Sequence, residues 1–168
     1  GLSSHYDENI WLASTGGGIG GYWGDIRSNG IATANNSRST GSIPFMKVVD
    51  SQMLAFNQGI TRRGSYAAYM DIDHPEVEEF INIRKESGGD INRKCLNLHN
   101  GINLTNEFLQ AVKNDEDWRL IDPKTKEAVK IVSARDLWWQ ILNARAETGE
   151  PYMINIDNCN DAMPKQQK

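Results

Sequence analysis

Residues 66–72 read YAAYMDI and residues 73–85 read DHPEVEEFINIRK. The first is a short, near-continuous apolar run, the pattern of a strand buried in a parallel sheet. The second offers Asp73 or His74 as a cap and Pro75 in a first turn. Glu76, Glu78 and Glu79 then stand where carboxylates complement a helix dipole, so the stretch predicts a helix. A strand that feeds a helix is the unit of an α/β fold.

Working outward, the pattern repeats. Tyr6, Ile10 and Ala13 fall at helical spacing and predict a helix over about 5–15 that ends at Gly16. GGGIGGYW leads into a glycine-rich extended segment, and SNGIATANNSRSTGS (28–42) has no periodicity and reads as a loop. Ser42 heads a second helix with Pro44 in its first turn and one apolar stripe, Ile43, Met46, Val49, Met53 and Phe56. CLNLHNGINL (95–104) reads as a strand, and Thr105 caps the helix after it. WRLIDPKTKEAVKIV (118–132) predicts a hairpin turning at Asp122–Thr125. Ser133 and Asp136 open a further helix that closes at Gly149, and YMINID is a last strand. Strands alternating with helices imply parallel pairing. The chain stops soon after that strand in polar NDAMPKQQK, which reads as a truncated end.

The chain has 168 residues, 39 % hydrophobic and 24 % charged, enough for one globular domain. A net charge of −4 excludes general affinity for nucleic acid, which needs surplus Lys and Arg. No apolar run spans a bilayer and no signal pattern opens the chain. Two cysteines make no disulfide framework, so the expected setting is reduced and cytoplasmic. The three histidines, His5, His74 and His99, lack ligand spacing, so no metal site is expected. Cys95 reads as a buried small residue, and Cys159 lies in a polar stretch with no histidine nearby to activate it.

Gly16-x-Gly18-x-x-Gly21 matches the dinucleotide fingerprint only formally. That motif needs a strand before it and a helix after it, and here the order is reversed. The remaining reading of these glycines is a place where backbone approaches a ligand closely. FNQGITRRGSYAAY (56–69) sets Arg62 and Arg63 between Gly59 and Gly64, while Arg27 and Arg38 occupy the earlier glycine-punctuated loop. Two such loops joined by one helix are expected to converge on a phosphate, with the arginines as fork-like donors.

Four stretches carry a resemblance: GGGIGGYWGDIRSNG, GSIPFMKVVDSQMLAFNQG, TRRGSYAAYMDIDHPEVEEF and GEPYMINIDNCN. In order and spacing they resemble consecutive parts of the large, catalytic subunit of ribonucleotide reductase. NDEDWRLIDPKTKEAVKIVSARDLW is similar to an insertion in members of that family. The resemblance implies an α/β fold, roughly the first parallel half of a ten-stranded barrel with a small hairpin insertion. The whole chain is then one fragment of the barrel domain. Residues 1–60 hold the first helix, glycine turn, first specificity loop and interface helix, and 56–112 the second loop with strands and helices. Residues 116–132 hold the hairpin, and 133–168 a helix, strand and tail.

The activity implied is radical reduction of a ribonucleotide to a deoxyribonucleotide. Gly17, Gly18, Gln58 and Arg62 match substrate-side positions, and Arg27, Arg38, Gln58, Arg62 and Arg63 match positions around a deoxynucleoside triphosphate effector at a homodimer interface. Arg63 stands where some relatives have glycine. Cys95 and Cys159 match neither the thiyl-forming nor the reducing cysteines, so no catalytic residue is expected in this chain. The resemblance places no cofactor on this segment. It implies for the whole enzyme a thiol reductant and a radical source, either a dimetal partner subunit or adenosylcobalamin. A reading from a different class, a non-catalytic nucleotide-binding or regulatory module, keeps the same loops; the flanking gene sequence separates the two.

Overall fold

The computed structural model describes residues 1–56 and 64–167. Within YAAYMDI, Tyr66, Ala68 and Met70 are fully buried, while Ala67, Tyr69 and Asp71 between them are only half-buried. The strand therefore has one sealed face and one more open face, where the apolar run predicted burial on both.

In chain order the elements are α1 (Leu2–Ser14), β1 (Gly18–Tyr22), α2 (Ile43–Ala55), β2 (Ser65–Asp71), α3 (Val77–Ile81), β3 (His99–Leu104), α4 (Asn106–Asn114), β4 (Asp117–Ile121), β5 (Ala128–Ser133), α5 (Ala134–Thr148), β6 (Tyr152–Asn155) and α6 (Ile156–Ala162). β1, β2, β3 and β6 form one sheet in that order, every pair parallel. β4 and β5 form a separate antiparallel hairpin. The α/β class and the small hairpin are as the sequence predicts, and the described strands make an open parallel sheet of the kind a partial barrel provides.

Helices seal the first face. The α2 stripe of Ile43, Met46, Val49 and Met53 is buried with Tyr66, Ala68 and Met70 in one core, which also takes Phe80, Phe108 and Ile141. The hairpin is fastened to the end of β2, where Ile121 N donates to Asp73 O at 2.7 Å and Trp118 packs edge-on against Phe108 at 5.2 Å between ring centroids. On the second face, the Tyr69 ring lies over Gly101. A Cβ at Gly101 would stand 2.6 Å from that ring, so the close approach requires glycine.

Several local expectations hold with their mechanism. Thr105 Oγ1 accepts from Phe108 N at 3.1 Å, Ser133 Oγ accepts from Asp136 N at 3.2 Å, and Gly149 closes α5 at φ 82°. Others need correction. The acidic stretch after β2 forms only the five-residue α3, and neither Asp73 nor His74 caps it. His74 Nε2 instead donates to Ile26 O at 2.8 Å, and its Nδ1 accepts from Glu76 N at 3.1 Å. Ser42 precedes α2 but makes no cap bond, because its hydroxyl is spent on Glu76. The strand in CLNLHNGINL begins only at His99. After β6, Asn155 accepts from Asn158 N at 3.0 Å and starts α6, where the sequence reading expects a polar loop.

Candidate functional site

At the C-terminal end of β1 the chain enters the loop 28–42. Three backbone bonds fold it on itself: Gly30 N to Ser39 O, Ser39 N to Ile31 O and Thr33 N to Ser37 O, each 2.8 Å. Arg38 Nη1 donates to Gly30 O at 2.9 Å, and Arg27 Nη1 reaches toward Ala32 O at 3.5 Å. Both arginines line one cavity of about 430 Å³ with Leu2, Asp25, Thr33 and Phe45. Among the described residues neither guanidinium is held in an ion pair. Two arginines bordering one cavity, each with N–H groups beyond the one given to a loop carbonyl, suit a polyanion such as a phosphate chain.

Both feet of the loop are tied down. Ser28 N and Oγ donate to Asp122 Oδ2, and Ser42 N and Oγ donate to Glu76 Oε2. Burial pushes the Asp122 carboxyl up, but the bonds from Ser28, Thr125 and Lys124 outweigh it and hold the group at about 2. At Glu76 burial wins, and its carboxyl sits above the usual carboxylate range despite Ser42. Arg93 braces this second foot, pairing with Glu76 at 3.4 Å and with Glu79.

The other positions inferred from the sequence lie elsewhere. Gly17 and Gly18 sit at the N-terminal end of β1, with Gly18 opposite Ser65 and open space where its Cβ would be. Gln58, Arg62 and Arg63 lie outside the described residues. Their segment is bounded by Phe56, at the end of α2, and by Gly64, which packs against Met53 of the same helix. Because β1 and β2 are parallel, Ser65 stands opposite Gly18, at the end of the sheet away from the loop that follows β1. The structure thus brings Arg27 and Arg38 together and leaves Gly17 and Gly18 at the far end.

A second cavity, of about 480 Å³, opens at the C-terminal ends of the strands and is lined by Tyr22, Asp71, Asp73, Asn103 and Trp118 among others. The Tyr22 hydroxyl donates to Asp71, and Asn103 Nδ2 donates to the other Asp71 oxygen at 2.9 Å. Burial, then the Asp71 bond, pushes the Tyr22 hydroxyl far above its ordinary value. Burial likewise raises the Asp73 carboxyl. Sequence reasoning missed this cluster. The signal for it was the strand alternation, which sets Asp71 opposite Asn103 once the register is known.

Cys95 is fully buried, and burial pushes its thiol up to about 12. Cys159 is exposed on α6. Among the described residues no group of three or more His, Cys, Asp or Glu is arranged to hold a metal ion, so no ligand set for a dimetal centre is found there. No helix among them is long and apolar enough to cross a membrane.

Comparison with known proteins gives one answer along the whole chain. The family model described as "Ribonucleotide reductase, barrel domain" matches residues 1–168. A relative from Frog virus 3 (isolate Goorha) is 48 % identical over 160 residues, covering 95 % of this chain and 27 % of its own length. The ribonucleoside-diphosphate reductase large subunit of Invertebrate iridescent virus 6 is 42 % identical over 175 residues, covering 100 % of this chain and 17 % of its own length. The ribonucleoside-diphosphate reductase subunit alpha of Helicobacter pylori (strain ATCC 700392 / 26695) is 32 % identical over 188 residues, covering 98 % of this chain and 24 % of its own length. The chain therefore spans about a quarter or less of these relatives.

Proposed function

This chain belongs to the ribonucleotide reductase barrel-domain family, and from that premise we propose that Arg27 and the loop 28–42 after it contact the phosphates of a deoxynucleoside triphosphate effector. Arg27 and Arg38 are the phosphate ligands. The observation that carries the reading is the cavity that Arg27 and Arg38 both line, neither of them in an ion pair among the described residues although Asp25 shares the lining. Gly17 and Gly18 border the ribonucleotide, where a missing side chain lets backbone approach the sugar. Gln58, Arg62 and Arg63 relay effector identity to that end.

The relay needs two copies. α2 is 13 residues, roughly 20 Å long, and carries the chain from the Ser42 foot back to Met53 beside Gly64. One chain thus holds the arginine loop and the borders of 57–63 at opposite ends of the sheet. Antiparallel pairing of α2 with its counterpart in a second copy sets the loop of one against Phe56 and Gly64 of the other. Exposed Val48 on α2 and Trp11 on α1, 43 % and 73 % accessible, offer apolar surface for that pairing.

The reaction of the whole polypeptide is replacement of the ribose 2′-hydroxyl by hydrogen, with a dithiol oxidised to a disulfide and water released. A dimetal partner subunit or adenosylcobalamin would supply the initiating radical. This chain's own residues bind and position, and neither Cys95 nor Cys159 is assigned a redox step. The test is calorimetry of deoxynucleoside triphosphate binding to the parent chain, Arg27→Ala and Arg38→Ala. Each substitution is expected to weaken binding by about 1.5–3 kcal/mol, the scale of a hydrogen bond to a charged group. Unchanged affinity in both variants refutes the assignment.

A further inference from the structure

The arginine loop stands on two posts, and each post is a buried carboxylate from a distant part of the chain. At the first, Ser28 N and Oγ lie 2.8 and 2.7 Å from Asp122 Oδ2, across 94 residues of sequence. The other oxygen, Oδ1, accepts from Lys124 N and Thr125 N, both at 2.9 Å, so the turn of the β4–β5 hairpin is wound around the same group. Asp122 is fully buried and Ser28 nearly so. At the second post, Ser42 N and Oγ lie 2.7 and 2.9 Å from Glu76 Oε2. Gly41 enters it at φ 84°, and a Cβ there would fall 1.9 Å from Glu76 Oε1, so the carboxylate fills space only glycine leaves.

Between the posts the loop is bonded to itself, and Ser39 Oγ donates to Arg27 O at 3.3 Å. Moving either foot therefore moves the arginines as a unit. Neither Asp122 nor Glu76 lines the cavity that Arg27 and Arg38 share. Both Asp122 oxygens are occupied by neutral N–H and O–H donors, so this negative charge sits behind the site without competing for a guanidinium.

We propose that Asp122 and Glu76 are positioning residues for the Arg27–Arg38 site, and that the β4–β5 hairpin serves as a brace which fixes the effector loop through Asp122. The proposal rests on the reading of that loop as a triphosphate site. Its physical content is preorganisation: a loop already held in the binding geometry loses less conformational freedom when ligand arrives. The chemistry of the post demands a carboxylate. An amide at 122 that keeps its oxygen toward Lys124 and Thr125 turns its NH₂ toward Ser28 N–H, donor against donor, and leaves a buried N–H without an acceptor. Asp122→Asn therefore releases the first foot and spares the turn.

The test uses the full 168-residue chain with deoxyadenosine triphosphate as probe. Affinities are measured for the parent, Arg27→Ala, Asp122→Asn and Ser28→Ala, and the Arg27 Nε–Hε resonance is followed in the ligand-free proteins. Asp122→Asn is expected to weaken binding roughly 10–150-fold, the equivalent of one lost hydrogen bond to a charged group. Its Arg27 resonance collapses toward that of a free side chain, a change that mere loss of stability does not produce below the melting transition. Parent-like affinity in Asp122→Asn and Ser28→Ala, with Arg27→Ala impaired, overturns the brace and leaves the triphosphate site standing. Absence of binding by the parent, or full binding by Arg27→Ala, overturns the site and the brace with it. If Asp122→Asn does not fold, Ser28→Ala decides, since it keeps the Lys124 and Thr125 bonds; undiminished affinity there refutes the proposal.

Discussion

Replacing Asp50 with alanine is expected to be among the most damaging single changes to the sheet that carries the site. The carboxylate is 1 % exposed on α2 and faces the segment that leads into β3. Its Oδ1 accepts from Asn97 N at 2.7 Å and Leu98 N at 3.0 Å, while Oδ2 accepts from Asn97 Nδ2 at 3.1 Å and Lys47 Nζ at 3.3 Å. Alanine strands two backbone donors, each costing ~1–3 kcal/mol, so Asp50→Ala costs about 2–6 kcal/mol. With a urea dependence of ~1–2 kcal/mol per molar for a small domain, the middle of both ranges lowers the unfolding midpoint by roughly 2–3 M. Asp50→Asn keeps an oxygen for both backbone donors and is expected to lose only about 1 kcal/mol. Lys47→Ala removes a partly exposed ion pair worth ~0.2–1 kcal/mol. The assay is equilibrium urea unfolding followed by tryptophan fluorescence. If Lys47→Ala or Asp50→Asn proves as damaging as Asp50→Ala, the ion pair rather than the backbone bonds holds α2 in place, and the reasoning is wrong.

Two further outcomes follow from buried ionisable groups. A carboxyl held at about 2 instead of 3.8 makes the folded state the weaker proton binder, so Asp122 stabilises the fold above its ordinary value and ceases to as pH falls through about 2. The stability difference between parent and Asp122→Asn, about 2 kcal/mol at neutral pH from that shift, is expected to shrink across that window in acid unfolding scans; a difference independent of pH contradicts it. Glu76, raised by burial, acts with opposite sign and cancels in the comparison because both proteins carry it. In thiol titration, Cys159 is expected to react rapidly with an aromatic disulfide and Cys95 only on unfolding, since its thiol is buried and pushed up to about 12. Two fast thiols per native chain would refute the packing of Cys95.

Much of the scaffold was legible because its signals are local. The α2 stripe from Ile43 to Met53 needs only helical spacing, and the caps at Thr105, Ser133 and Gly149 need only the next few residues. The Asp122 turn was also visible as a hairpin. Its bond to Ser28 was not, because nothing within the sequence near either residue encodes a contact 94 positions away. Proline and three glutamates promised a longer α3, but Glu76 is drawn out of the helix to hold Ser42 and His74 bonds to Ile26, so tertiary partners override the local pattern. The sequence reading also expects both arginine loops of one chain to converge. Parallel pairing of β1 with β2 places their points of attachment at opposite ends of the sheet, a consequence of strand direction that loop composition does not reveal.

Sedimentation of the chain with and without deoxynucleoside triphosphate is the most direct test that the nucleotide is read between two copies. If the loop of one copy and the 57–63 segment of another hold the ligand together, triphosphate raises the average mass from 18.8 kDa toward twice that value, and Arg27→Ala abolishes the rise. Saturation with triphosphate at an unchanged monomer mass would contradict the account.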